Sequence, residues 1–224
     1  MELANFDKKH LDQRGFVIGG GPSILGIQDR GFTFSTLEKE ITIATNKAYK
    51  LLTPSYLVWS DGYFLKEFKG EIDSIDCIKF CANNVAKKFG VSKQNDTLII
   101  KRGRDVEQKT LVDSFTEPFP MWNNSGVTGL RIAYTLGLNP IYLIGIDIQR
   151  LDNKNRTHFH TDYDNARIKK TKDVRYDKFY DSFFKTIEDL KRKKVKVISC
   201  SENSRLNTIL EYQDLLTVEG LNHV

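Results

Sequence analysis

The chain has 224 residues, 40% hydrophobic and 28% charged, with Lys+Arg 34 against Asp+Glu 29 for a formal net charge of +5. These fractions exclude wholesale disorder, and the length suits one domain or one domain with an inserted lid. No apolar run approaches the ~20 residues that cross a bilayer, residues 1–14 are too polar for a secretion signal, and the mild basic excess favours anionic ligands without choosing among them.

Gly15-Phe16-Val17-Ile18-Gly19 reads as a first strand ending in glycines, after which Pro22 and Ser23 open a helix. Glu40 to Thr45 is a second strand, rich in β-branched residues, followed by Asn46 and a helix-like Lys47 to Leu52. Ser55 to Ser60 is a third, closing on Asp61-Gly62, and Asp76 to Ala82 and Asp96 to Ile100 supply two more. Ser125 to Leu136 carries Val127, Leu130, Ile132, Ala133 and Leu136 at the spacing of a helix buried on one side. Pro140 to Ile146 is almost wholly apolar, as a central parallel strand covered on both faces should be. A long amphipathic helix over about 174–194 then feeds a last strand, Val195 to Ser199. Residues 149–173 are polar and longer than an ordinary connection, which suits a lid.

Strands alternating with helices predict an α/β fold: three layers around a mostly parallel sheet. Right-handed crossovers put the strand C-termini on one edge, so Gly19 to Ser23, Asn46, Ser60-Asp61 and Asp147 should converge there. Gly19-Gly20-Gly21-Pro22-Ser23 lets a ligand approach the main chain, and a helix opening at Pro22 would aim amides at a phosphate. It is neither the dinucleotide fingerprint, since Ile24 stands where the last glycine belongs, nor a Walker loop, since Gly26 is followed by Ile27-Gln28. Asn46 and Asp61 each read as a helix cap or as a contact to ribose or base. Asn124, Ser125 and Gly126 read as a cap with a second anion cradle, and Asp147 as an Mg²⁺ ligand or a loop anchor.

His158, His160, Asp162 and Asp164 would share one face of an extended segment. Three readings stand there: a metal site, a single general base, or a solvated loop. Arg156, Arg167, Lys169 and Lys170 flank them and suit a lid closing on phosphate. The three cysteines, Cys77, Cys81 and Cys200, are expected to be reduced, with Cys77 and Cys81 packed as small hydrophobes.

The order of these motifs resembles the bacterial sialyltransferases of glycosyltransferase family forty-two. Gly-Gly-Gly-Pro-Ser follows the first strand, Asn46 the second and Asp61 the third; Asn-Ser-Gly-Val opens a helix; and Leu136 to Asp147 matches a signature of that family. Cys200-Ser201-Glu202-Asn203-Ser204 resembles its late Pro-Asn-Ser turn. The skeleton is also similar to uncharacterised bacteriophage proteins and to hydroxymethylpterin pyrophosphokinase-like proteins. The resemblance implies a Rossmann-like single domain over residues 1–224, with a lid at about 149–173. It implies transfer from a CMP-activated sugar without a cofactor to a glycan, small-molecule or DNA acceptor. Gly19, Gly20, Gly21, Pro22, Ser23, Asn46, Asp61, Asn124, Ser125, Gly126, Asp147 and Ser204 would hold nucleotide or substrate. His158, His160 or Asp162 would be the base. The family often has asparagine where this chain has Gly20 and Asp61, and an arginine where it has Asn123. The second reading is an Mg²⁺-dependent pyrophosphokinase using ATP, with Asp61 and Asp147 or Asp162 as ligands; the third is a non-catalytic nucleotide-binding protein. A cytoplasmic location is expected, the host's cytoplasm if a phage encodes the chain, with a homo-oligomer as one form open to it.

Overall fold

The computed structural model describes residues 1–60, 62–91, 96–103, 109–121, 124–149, 158–161 and 173–221. Its strands are β1 (Gly15–Ile18), β2 (Ile41–Thr45), β3 (Tyr56–Val58), β4 (Ile78–Ala82), β5 (Thr97–Ile100), β6 (Ile141–Ile144), β7 (Val197–Ser199) and β8 (Glu211–Tyr212). They form one eight-stranded sheet in the order β5-β4-β3-β2-β1-β6-β7-β8, and every pairing is parallel. Among the described residues the α-helices are α1 (Ser23–Asp29), α2 (Gly62–Ser74), α3 (Asn83–Phe89), α4 (Ser125–Thr135) and α5 (Asp173–Arg192).

The chain builds the sheet outward from β1 to β5, then returns to pair β6 with the free side of β1. With right-handed crossovers, this reversal puts α1, α2 and α3 on one face and α5 on the other. The crossover helix α4 packs on α5 and on the strands β1 to β3. Close approach is possible because α4 carries Gly129, where a Cβ would stand 3.0 Å from both Thr45 Cγ2 and Val17 Cγ1.

All eleven residues of α4 are buried, not one face only. The apolar spacing predicts burial on one side only; the side that carries Arg131 and Thr135 is covered by α5 and the segment 110–121. Arg131 shows how a charge fits there: its Nε and Nη2 donate to Thr186 Oγ1 (3.2 and 2.8 Å) and Nη1 donates to the Pro120 carbonyl (2.6 Å). Thr135 Oγ1 donates to the Val112 carbonyl (2.9 Å). Paired in this way, buried polar groups avoid a large desolvation cost. From α5, Phe183, Ile187 and Leu190 enter the core fully buried, each contributing about 1.5–3 kcal/mol of apolar burial.

Cys77, Cys81 and Cys200 are free and buried, and burial pushes their thiols up to about 11, about 12 and about 12. Beyond the expected set, the described residues after β7 form further structure. The two-residue β8 extends the sheet, and Leu215, Val218 and Leu221 bury their side chains. Among the described residues, no helix is long and apolar enough to cross a membrane.

Candidate active site

At the C-terminal edge, the exits of β1 and β6 lock together. The Gly19 N–H donates to the Ile144 carbonyl (2.7 Å) and the Gly21 N–H to the Gly145 carbonyl (2.8 Å). A Cβ on Gly19 would stand 2.4 Å from the Gly145 carbonyl; on Gly21 it would stand 2.3 Å from Asp147 Oδ2 and 2.6 Å from the Gly145 carbonyl. Neither glycine has a positive φ. Their lack of a side chain serves close approach between two protein backbones, not the approach of a ligand expected of the turn. Gly145 needs both properties, with φ +65° and the Gly19 carbonyl 2.9 Å from its would-be Cβ.

Asp147 follows that lock and is 3% exposed. Its Oδ2 accepts the Ser23 N–H at 2.9 Å, so the first amide of α1 is capped by a carboxylate of the protein. Of the two roles expected for Asp147, the structure displays the loop anchor. Burial pushes the carboxyl up, opposed by the Ser23 amide and the nearby Ser23 and Ser201 hydroxyls. The turn after β7 holds this exit from below. Ser201 Oγ accepts the Gly145 N–H (2.8 Å), Ser204 Oγ donates to the Ile146 carbonyl (2.6 Å), and the Arg205 N–H donates to the Asp147 carbonyl (2.9 Å). Ser204 also accepts the Leu206 N–H (3.1 Å) and is buried, so its hydroxyl is committed inside the protein.

A second cluster joins β2, β3 and α4. Ser125 Oγ donates to Asn46 Oδ1 (3.0 Å), accepts the Ser60 N–H (3.2 Å) and meets Ser60 Oγ at 2.9 Å. Asn46 takes φ +51° at the end of its strand, a left-handed conformation that asparagine tolerates better than most residues. Asn124 caps α4, its Oδ1 accepting the amides of Gly126 (2.9 Å) and Val127 (3.2 Å). The head of α4, with its positive dipole end, thus sits between two strand termini. Ser60 is expected at this edge as a strand exit; its pairing with Ser125, 65 residues away in the chain, is not.

Residues 158–161 lie on the glycine turn as bends, not as a strand. The Phe159 N–H donates to the Gly20 carbonyl (3.0 Å), and His158 Cδ2 is 3.5 Å from where a Gly20 Cβ would be. The His158 and His160 rings are 5.2 Å apart. The structure therefore brings two of the three candidate bases to the turn. Asp61, Asp162 and most of the expected lid lie outside the described residues, as does Asn123. Among the described residues, no group of three His, Cys, Asp or Glu is placed to hold a metal.

No protein-family model and no curated protein matches the chain. Solved structures do. The MAf glycosyltransferase from Magnetospirillum magneticum AMB-1 is similar with a TM-score of 0.57 at 13% identity, over 96% of this chain and 38% of that one. Monomeric CstII is similar with a TM-score of 0.50 at 16% identity, over 88% of this chain and 85% of that one. The sialyltransferase CstII from Campylobacter jejuni, in complex with CMP-3FNeuAc, gives 0.49 at 16% identity over 89% and 86%. The likeness is one of fold. The α/β fold is shared with the MAf glycosyltransferase and monomeric CstII, and the chain spans 38% of the length of the MAf glycosyltransferase.

Proposed function

We propose that the chain is a nucleotide-sugar-dependent glycosyltransferase of the CMP-sugar type, working without a bound metal. The observation that carries this reading is the convergence on one sheet edge of three parts. These are a glycine turn, the head of α4 with its Asn46–Ser125–Ser60 cluster, and a histidine-bearing segment seated on the turn. Such edges are where open α/β sheets take nucleotides. The motif order that resembles family forty-two, and the fold shared with glycosyltransferases, support the same reading; fold alone does not confer chemistry.

In this account the nucleotide lies across the ends of β1, β2 and β3, with its phosphate between the glycine turn and α4. His158 or His160 takes the proton of an acceptor hydroxyl as that oxygen attacks the anomeric carbon. The bond from the sugar to the phosphate oxygen breaks, and CMP departs with the electron pair. Amides and the α4 dipole stabilise the charge on the leaving phosphate. The acceptor is a hydroxyl of a glycan, a small molecule or modified DNA.

The test is release of CMP from CMP-sugars by the wild type and by the double variant His158→Ala, His160→Ala, each with and without EDTA. The reading predicts wild-type turnover that survives EDTA and falls by about 10²–10⁴-fold in the variant. Undiminished turnover in the variant would remove the histidines from the mechanism. Activity only with ATP and Mg²⁺ would replace the whole reading with phosphoryl transfer.

A further inference from the structure

The amides of the glycine turn are not equivalent. Those of Gly19 and Gly21 are used by the Ile144 and Gly145 carbonyls, and that of Ser23 by Asp147 Oδ2. Pro22 has none. The Gly20 amide makes no hydrogen bond to another described residue. We propose that Asp147 is a positioning residue: by occupying the Ser23 amide from inside the protein, it leaves the Gly20 amide as the turn's donor for an anionic group of the ligand. The inference rests on the nucleotide reading above, in which that group is a phosphate.

Asp147 is well built for this. It is nearly inaccessible, so it does not touch the ligand itself. Its main chain is fixed by the Arg205 N–H, and the two residues before it are tied to Ser201 and Ser204. The carboxyl is thus presented to Ser23 from a clamped support. An anion cannot share the Ser23 amide with that carboxyl, because the donor is filled and a second acceptor there would be repelled. It must sit one step outward, at Gly20.

That displacement has a chemical consequence. The Gly20 carbonyl holds the Phe159 amide, and a Cβ on Gly20 would stand 3.5 Å from His158 Cδ2. An anion on the Gly20 amide therefore lies next to the histidine segment, where a leaving phosphate and a proton acceptor must both be found.

The experiment uses CMP as the probe and full-length protein. Calorimetric titration of wild type, Asp147→Ala and Asp147→Asn measures affinity, and amide hydrogen exchange of residues 19–24 without ligand measures the hold on Ser23. Asp147→Ala should weaken CMP binding by about tenfold and speed Ser23 exchange. Asp147→Asn should stay within about threefold of wild type in both, because its amide oxygen can still accept the Ser23 N–H. Should Asp147→Ala fail to fold, Asp147→Ser, too short to reach Ser23, replaces it. Unchanged CMP affinity in Asp147→Ala, or unchanged Ser23 exchange, overturns the proposal. A wild type that binds no nucleotide overturns the nucleotide reading instead, and exchange then decides alone whether Asp147 holds the turn.

Discussion

Ser125→Ala is the most informative single perturbation of the site. Ser125 Oγ is 3.0 Å from Asn46 Oδ1, 3.2 Å from the Ser60 nitrogen and 2.9 Å from Ser60 Oγ. Removing it deletes three hydrogen bonds at a residue only 6% exposed. At about 1 kcal/mol each the upper bound is about 3 kcal/mol. Asn46 and Ser60 are half-buried, so water repays part of this, and about 2 kcal/mol is the expected loss. For a chain of this size that is a fall in Tm of about 4–8 °C. Ser60→Ala is the internal control: it removes one of the three bonds and should cost about 1 kcal/mol. Urea denaturation of both variants beside the wild type reads the difference directly. Equal losses in the two variants, or a Ser125→Ala loss below about 0.5 kcal/mol, would refute the claim that Ser125 joins β2, β3 and α4.

Other predictions concern the frame around that cluster. Gly21→Ala pushes a methyl to 2.3 Å from Asp147 Oδ2 and 2.6 Å from the Gly145 carbonyl. It should lower stability by about 1–3 kcal/mol, and an unchanged urea midpoint would show that the two strand exits are not locked. With thiols buried and pushed up to about 11, about 12 and about 12, native protein at pH 8 should resist a thiol reagent, whereas unfolded protein should titrate all three cysteines of the chain. The Tyr134 hydroxyl, 2.5 Å from Asp113 Oδ1, holds the Asp113 carboxyl below its ordinary value. Its contribution to stability should thus be complete above the unfolded value of about 3.9 and vanish as pH falls through the lower folded value. Denaturation of Asp113→Asn and wild type across pH 2–6 checks this; a difference that grows toward low pH would contradict it.

Sequence pattern sufficed where a local rule decided the outcome. The β-branched run Ile41 to Thr45 and the apolar run Ile141 to Ile144 became strands, and the polar residues that follow them came to the same edge. Contacts between distant segments escaped it. Nothing near Ser60 in the chain points to Ser125; Ser23 and Asp147, 124 residues apart, are expected on one edge, but the capping of the amide by the carboxylate is not. The glycine turn shows the same limit from the other direction. Its composition fits a ligand's approach and a backbone's approach equally well, and the facing partner, the β6 exit, comes from the far half of the chain. On α4, the spacing of apolar residues predicts one buried side, whereas all eleven residues are buried. The burial of Arg131 and Thr135 depends on α5 and 110–121, which a helical period cannot foresee.

The central claim is that a nucleotide of the CMP type binds where the glycine turn meets the head of α4. Calorimetric titration with CMP in EDTA, wild type beside Ser125→Ala, tests it most directly. The account predicts one saturable site on the wild type without metal, and an affinity at least about tenfold weaker in a variant that is still folded at the temperature of the measurement. Equal affinity in the two proteins, or binding to the wild type by ATP with Mg²⁺ and not by CMP, would contradict it.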